Sequence, residues 1–181
     1  MINELLKDAE TKMGQAVEHT INEFSGVRTG RANAGLLSRV TVDYYGTRTP
    51  LQQLASFSVP EARMLIVQPY DKGAIADIER GIQEADLGLN PSNDGNIIRL
   101  AFPSLTEERR RDLIKVVRNL AEEGRIAIRN IRRHAKDAIE SEDVSEDDIY
   151  RAEDQLQKLT DKQTHIIDEA LERKEEELLE V

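Results

Sequence analysis

The chain has no cysteine and no tryptophan, and aromatic residues make up only 4% of its 181 positions. Without thiols there are no disulfides, thiolate metal sites or cysteine nucleophiles. A reducing, cytoplasmic setting is the expectation that follows. So few rings exclude a large aromatic core and point to aliphatic helix packing. No apolar run approaches the ~20 residues of a membrane span, so no membrane partner is expected. Met1-Ile2-Asn3-Glu4 opens an amphipathic stretch with early acids, unlike the basic and apolar regions of a signal peptide.

Catalytic patterns are missing too. His19, His134 and His165 are scattered, with no metal-ligand spacing. Ser25, Ser38, Ser56, Ser58, Ser92, Ser104, Ser141 and Ser145 fall in no nucleophile-elbow motif. The run Arg28-Thr29-Gly30-Arg31-Ala32-Asn33-Ala34-Gly35 contains glycine but is neither a Walker A loop nor a dinucleotide fingerprint. The expectation is a non-enzyme with no cofactor and no metal.

What is abundant is charge, at 33% of residues, and it is unevenly placed. The net charge of −10 argues against nucleic acid only if it is spread evenly. Residues 141–181 carry 15 acids against 5 bases, whereas residues 105–140 carry 10 bases against 7 acids. Residues 28–104 balance at 8 against 8. A basic stripe on an acidic molecule can still dock on phosphates, because charges beyond a Debye length of ~8 Å are largely screened. The acidic remainder opposes indiscriminate binding.

The basic segment reads as one long helix, from Leu105 to about Glu140. Leu113, Val117, Leu120, Gly124, Ala127 and Ile131 recur at steps of four and three as a packing seam. At ~100° per residue, Arg111, Lys115, Arg118, Arg125, Arg129, Arg132, Arg133 and Lys136 fall within an arc of roughly 100° on the side away from the seam. The acids in that arc are Glu107, Glu122 and Glu140. Such a stripe is either a solvated face or a surface for an anionic ligand. The ligand would be nucleic acid or, in a structural or chaperone-like protein, an acidic partner helix.

Helical pattern also covers residues 2–27, with Ile2, Leu6, Ala9, Met13, Ala16, Thr20, Phe24 and Val27 as its seam. A third long helix follows a capping signal at Ser145-Glu146-Asp147-Asp148. Its seam is Ile149, Ala152, Leu156, Leu159, Gln163, Ile166, Ala170 and Leu178. Between the first and second helices the pattern turns β-rich. Val40–Tyr45, Leu54–Val59, Met64–Val67 with Gln68-Pro69, and Ile97–Phe102 read as about four strands, with one helix over Lys72–Ala85. The strand order cannot be read from these residues. Tyr44 and Tyr45 suit packing on a strand or stacking on bases.

The architecture expected is α+β. Residues 1–30 and 104–181 form a three-helix bundle, and residues 31–103 form an inserted small α/β unit. Two crossings, Arg31-Ala32 and Pro103-Ser104, make a plausible hinge. The two later helices, at ~1.5 Å per residue, would each be about 50 Å long, so an elongated molecule is expected.

Several motifs in order then carry a resemblance: Arg28-Thr29-Gly30-Arg31-Ala32 after the first helix, Asp43-Tyr44-Tyr45-Gly46-Thr47 with Thr49-Pro50, and Gln53-Leu54-Ala55. Asp86-Leu87-Gly88-Leu89-Asn90-Pro91, Leu105-Thr106-Glu107-Glu108-Arg109-Arg110 and Arg129-Asn130-Ile131-Arg132-Arg133 complete them. Over essentially its whole length the chain resembles bacterial ribosome recycling factors. Val27 departs mildly from the isoleucine more usual there, and the Glu140–Ser145 connection is shorter than the family's.

The resemblance implies an L-shaped protein with a hinge between its two domains. It implies a factor that binds the post-termination ribosome and, with elongation factor G and GTP, splits it into subunits for reuse. The family's bundle lies on large-subunit ribosomal RNA, and its hallmark arginine maps to Arg132. Arg129 and Arg133 lie beside it, and Arg28 and Arg31 lie near the joint. Arg118 and Arg125 join the expected binding set from the stripe. The factor is expected to act as a monomer.

Overall fold

The computed structural model describes residues 1–180 and divides the chain into two compact units. One unit joins Met1–Thr29 to the chain from Thr106 onward, and the other is Gly30–Leu105. The first is built from helices α1 (Ile2–Ser25), α3 (Glu107–Glu140) and α4 (Glu146–Leu179), each packed on the other two. The second holds strands β1 (Thr41–Tyr44), β2 (Thr47–Pro50), β3 (Ala55–Glu61), β4 (Met64–Pro69), β5 (Pro91–Asn93) and β6 (Ile98–Ala101), with helix α2 (Ile75–Glu84). The fold class is α+β, as the patterning implied.

Two of the bundle helices, α3 and α4, begin at side-chain caps. The Thr106 hydroxyl accepts from the Arg109 N–H at 3.1 Å, satisfying one of the donors orphaned at a helix start. Glu107 and Glu108 occupy the first turn, where the helix dipole favours acids. At the start of α4 the Ser145 hydroxyl accepts from the Asp148 N–H at 3.2 Å and donates to the Asp148 carboxylate at 2.8 Å. Asp148 thus engages the capping hydroxyl, where the residue of a capping box would reach back to the backbone.

The seams shift slightly from the reading by heptads. In α3 the buried positions are Leu113, Val117, Ala121, Gly124, Ile128, Ala135 and Ile139, while Leu120, Ala127 and Ile131 are half-buried. In α1 Val17 is buried and Ala16 is half-buried. In α4 Thr160 and Ile167 are buried, and Leu159 and Ile166 lie on the flank. The reason is that each helix faces two partners at once. What is buried is then a broad arc centred between them, not a single two-helix seam, and a straight helix drifts by ~20° per heptad against a strict seven-residue repeat.

At the middle of the bundle all three helices approach closely at Gly124. A Cβ built there would overlap the Thr20 hydroxyl and come within 3.0 Å of Ile167 Cδ1. Thr20 itself is buried and donates to the Ala16 carbonyl at 3.0 Å, so its polar atom is satisfied within α1.

In the second unit, β3–β4–β6–β5 form an antiparallel sheet, with Leu65 opposite Leu100 and Ser92 opposite Arg99. β1 and β2 form a separate hairpin. Its turn is Tyr45-Gly46, both at positive φ (49° and 83°), the geometry of the two-residue turns whose twist matches paired strands. α2 packs on β1 through Gly81, where an added Cβ would lie 3.1 Å from both the Thr41 carbonyl and Val42 Cγ2. Leu37, Val42, Leu51, Leu65, Ile78, Ile82, Ile98 and Leu100 fill the core.

The unit has six strands where the pattern of residues suggests about four. β2, Thr-Arg-Thr-Pro, buries none of its side chains fully, and β5 has three residues drawn from turn-forming types. Neither carries the apolar alternation by which a strand is recognised; both are strands because of the neighbours they pair with.

Tyr44 and Tyr45 are packed edge to face, with centroids 4.6 Å apart, and both donate their hydroxyls to Asp71 Oδ2, at 3.1 and 3.2 Å. Asp71 Oδ1 accepts from the Gly73 N–H at 2.9 Å. Bonding to Asp71 raises both phenols above the ordinary tyrosine value, and the Gly73 N–H with the two phenols holds the Asp71 carboxyl below its own. Tyr45 remains largely exposed despite this anchoring.

Two outcomes test this packing. Gly124→Ala should destabilise the bundle by about 1–3 kcal/mol in urea denaturation, although alanine is the better helix former by ~1 kcal/mol. Adding Thr20→Ala should return much of the loss, and a stabilised single variant would contradict the close approach. In an alkaline absorbance titration, Asp71→Asn should lower the ionisation midpoint of Tyr44 and Tyr45, because the carboxylate that disfavours their phenolates is gone.

Candidate nucleic-acid interface

α3 places its bases on one arc because it is a single uninterrupted helix of 34 residues. The inner edge of that arc lies beside α4, and the outer edge faces solvent. The arc's side chains differ in what holds them: Arg111 pairs with Glu107 and Lys136 with Glu140, each one turn apart on α3.

Three further arginines are tied to carboxylates of α4 or of α3 itself. Arg125 donates from Nε and Nη2 to Asp168 Oδ1, at 2.8 and 2.6 Å, and from Nη1 to Glu122 at 3.4 Å. Its side chain is only 23% exposed. Burial opposes its charge, but Asp168 and Glu122 outweigh that and raise its pKa further. Arg118 Nε donates to Glu175 at 2.6 Å. Arg129 also reaches Glu122, and it is chiefly Arg129, then Arg125, that holds this carboxyl below its ordinary range.

Arg132 and Arg133 are different. Among the described residues neither has a carboxylate partner. Arg132 is half-buried and its Nε is buried without a hydrogen bond. Arg133 is exposed. A planar guanidinium suits bidentate pairing with phosphate.

Of the two arginines outside the stripe, Arg28 is exposed just past the end of α1, and Arg31 is exposed within the second unit. The residues read as a hinge sit close to the division between units. Ala32 is buried in the core of the second unit and its N–H donates to the Ala62 carbonyl at 2.7 Å. The division itself falls between Thr29 and Gly30 and between Leu105 and Thr106, with Arg31, Ala32, Pro103 and Ser104 on the side of the second unit. Gly30 has φ +75° and the Leu105 side chain 3.3 Å from where a Cβ would stand.

Asp168 and Glu175, the α4 partners of the stripe, do not stand out in the sequence. Both lie in a helix face where acids and bases mix. Their spacing of seven, matched to that of Arg118 and Arg125, gives a signal only once α3 and α4 are known to be adjacent.

Known proteins give this arrangement a context. A family model described as ribosome recycling factor matches residues 20–179. The ribosome-recycling factor of Acidothermus cellulolyticus is 55% identical over 185 aligned positions, covering 100% of both chains. That of Halalkalibacterium halodurans is 53% identical with the same coverage. These alignments are longer than the 181 residues here, so the relatives carry positions this chain lacks. Here α3 and α4 are joined by residues 141–145 alone.

Among solved structures, the solution structure of a ribosome recycling factor matches with a TM-score of 0.73 at 44% identity, covering 99% of this chain and 98% of that one. Another, at TM-score 0.64 and 44% identity, covers 99% and 100%. It belongs to models of the T. thermophilus ribosome recycling factor and the E. coli elongation factor G bound to the E. coli post-termination complex.

The division of the stripe predicts unequal effects on stability. Arg125→Ala should cost roughly 1 kcal/mol in urea denaturation, because it unties α3 from α4 at a mostly buried position. Arg133→Ala should stay within about 0.5 kcal/mol of the parent. Equal losses would mean that the Arg125 pairs contribute nothing beyond exposed ones.

Proposed function

This chain belongs to the ribosome recycling factor family, and on that premise we propose how its units act. The bundle docks on large-subunit ribosomal RNA of the post-termination ribosome through the α3 stripe. The small unit then serves as a lever moved by elongation factor G, and the subunits separate. GTP hydrolysed by the partner supplies the energy. The chain performs no covalent step, holds no cofactor, and works as a monomer in the cytoplasm. No described helix is long and apolar enough to cross a membrane.

The observation that carries this reading is the pair Arg132 and Arg133, the stripe's guanidinium groups without a carboxylate partner among the described residues. Phosphates can engage them without first breaking a pair. Arg129 adds exposed charge one turn away, though it also reaches Glu122, and Arg28 adds exposed charge past the end of α1, while Arg125 is committed to α4 and Arg118 is paired there through Nε. A homologous factor with elongation factor G on a post-termination complex is a second support. For the hinge, the supports are the two chain passages at Thr29-Gly30 and Leu105-Thr106, with Arg31, Ala32, Pro103 and Ser104 as flanking residues. Two passages of single chain leave a small unit free to move as a body.

Light scattering by post-termination ribosomes tests the activity. It should fall only when this protein, elongation factor G and GTP are all present. Arg132→Ala should bind ribosomes about tenfold more weakly or worse, the loss expected for a charge-assisted bond of ~1.5–3 kcal/mol. Its far-ultraviolet circular dichroism should be unchanged. A variant that splits ribosomes normally would remove Arg132 from the site.

A further inference from the structure

The α4 acids that flank the stripe follow the same seven-residue rhythm as the arginines. Arg118 meets Glu175 and Arg125 meets Asp168, so the register runs antiparallel with one rung every two turns. The next rung in that register is Arg132 with Asp161. It is open. Among the described residues Arg132 has no ion pair, and Asp161 instead accepts from Gln157 Nε2 at 2.8 Å, one turn earlier on α4.

We propose that this ladder of α4 carboxylates sets how many stripe arginines are available to RNA. Asp168 and Glu175 are internal counter-ions that occupy Arg125 and Arg118, and Gln157 is a positioning residue that holds Asp161 away from Arg132. This rests on the reading of α3 as an RNA-binding face and adds to it a limit on affinity. A recycling factor must leave the ribosome after each round. A stripe with every arginine open would neutralise more phosphates, release more counter-ions and hold on more tightly. The closed rungs remove two such contacts at no cost in fold, since the same pairs join α3 to α4. The open rung leaves Arg132 for the ligand.

Both bonds from Arg125 to Asp168 end on one oxygen and its side chain is mostly covered, so a phosphate would have to displace Asp168 to reach it. At the other rung Glu175 is mostly covered, at 25% exposure, and holds Arg118 through Nε, while Arg118 itself is 63% exposed, so this rung is the more easily opened of the two. Asp161 and Arg132 share the register without meeting, and the hydrogen bond to Gln157 is the contact that differs between this rung and the other two.

The test is the salt dependence of binding to purified large ribosomal subunits, with fluorescently labelled full-length protein, between about 50 and 200 mM salt. The double variant Asp168→Asn with Glu175→Gln should bind more tightly. Its plot of log affinity against log salt should be steeper by about one to two, since each added phosphate contact contributes ~0.7–0.9. Gln157→Ala should free Asp161 to close the open rung, weakening binding about tenfold and making the slope shallower by about one. Adding Asp161→Asn to Gln157→Ala should restore the parent slope, which a merely structural role for Gln157 would not do. Unchanged slopes in these variants, with circular dichroism unchanged, would overturn the ladder while leaving the RNA-binding stripe in place. A parent protein whose binding ignores salt would overturn the stripe itself.

Discussion

The bundle depends on one close approach. At Gly124 the missing side chain lets α3 lie against Thr20 of α1 and Ile167 of α4 together. A helix interior disfavours glycine by ~1 kcal/mol relative to alanine, so its presence is explained by the packing and not by local preference. With α3 held against both neighbours, the buried arc of each helix faces the middle and its charged arc is fixed in direction. The basic stripe is therefore part of the packing geometry. Turning α3 by one residue would bury arginines and expose leucines.

The same contact defines which arginines are committed. Because α3 and α4 run antiparallel in a fixed register, Arg118 and Arg125 find carboxylates two turns apart, and Arg132 meets none among the described residues. Charge counting treats these side chains as equal. Their surroundings divide them into cations that join helices and cations that remain available. A stripe of this kind has both a structural and a recognition role, and the two are separated along its length.

In the second unit the anchoring is more local. Asp71 gathers the hydroxyls of Tyr44 and Tyr45 and caps the turn before α2, so the β1–β2 hairpin is joined to the helix segment by one carboxylate. The hairpin turn places a tyrosine at positive φ, an unusual position for an aromatic residue, and the bond to Asp71 and the contact with Tyr44 offset part of its strain.

Residue order alone determined much of this protein. Three amphipathic stretches and their caps at Thr106 and Ser145 specify three long helices, because periodicity and capping are local properties. The β-branched run before Tyr44-Tyr45 and the alternation in Met64–Val67 specify strands for the same reason. The stripe was legible as well, since a helix converts spacing directly into direction. What the tertiary structure decided is what depends on neighbours distant in sequence. Strands β2 and β5 exist because other strands pair with them, and the sheet order β3–β4–β6–β5 is set by that pairing. Val17, Ala121, Ile128 and Ile167 replace their neighbours at the centre of the bundle because each helix faces two partners, not one. Arg125 and Arg132 look alike in the chain; only the register of α4 beside α3 supplies a carboxylate to the first and withholds one from the second.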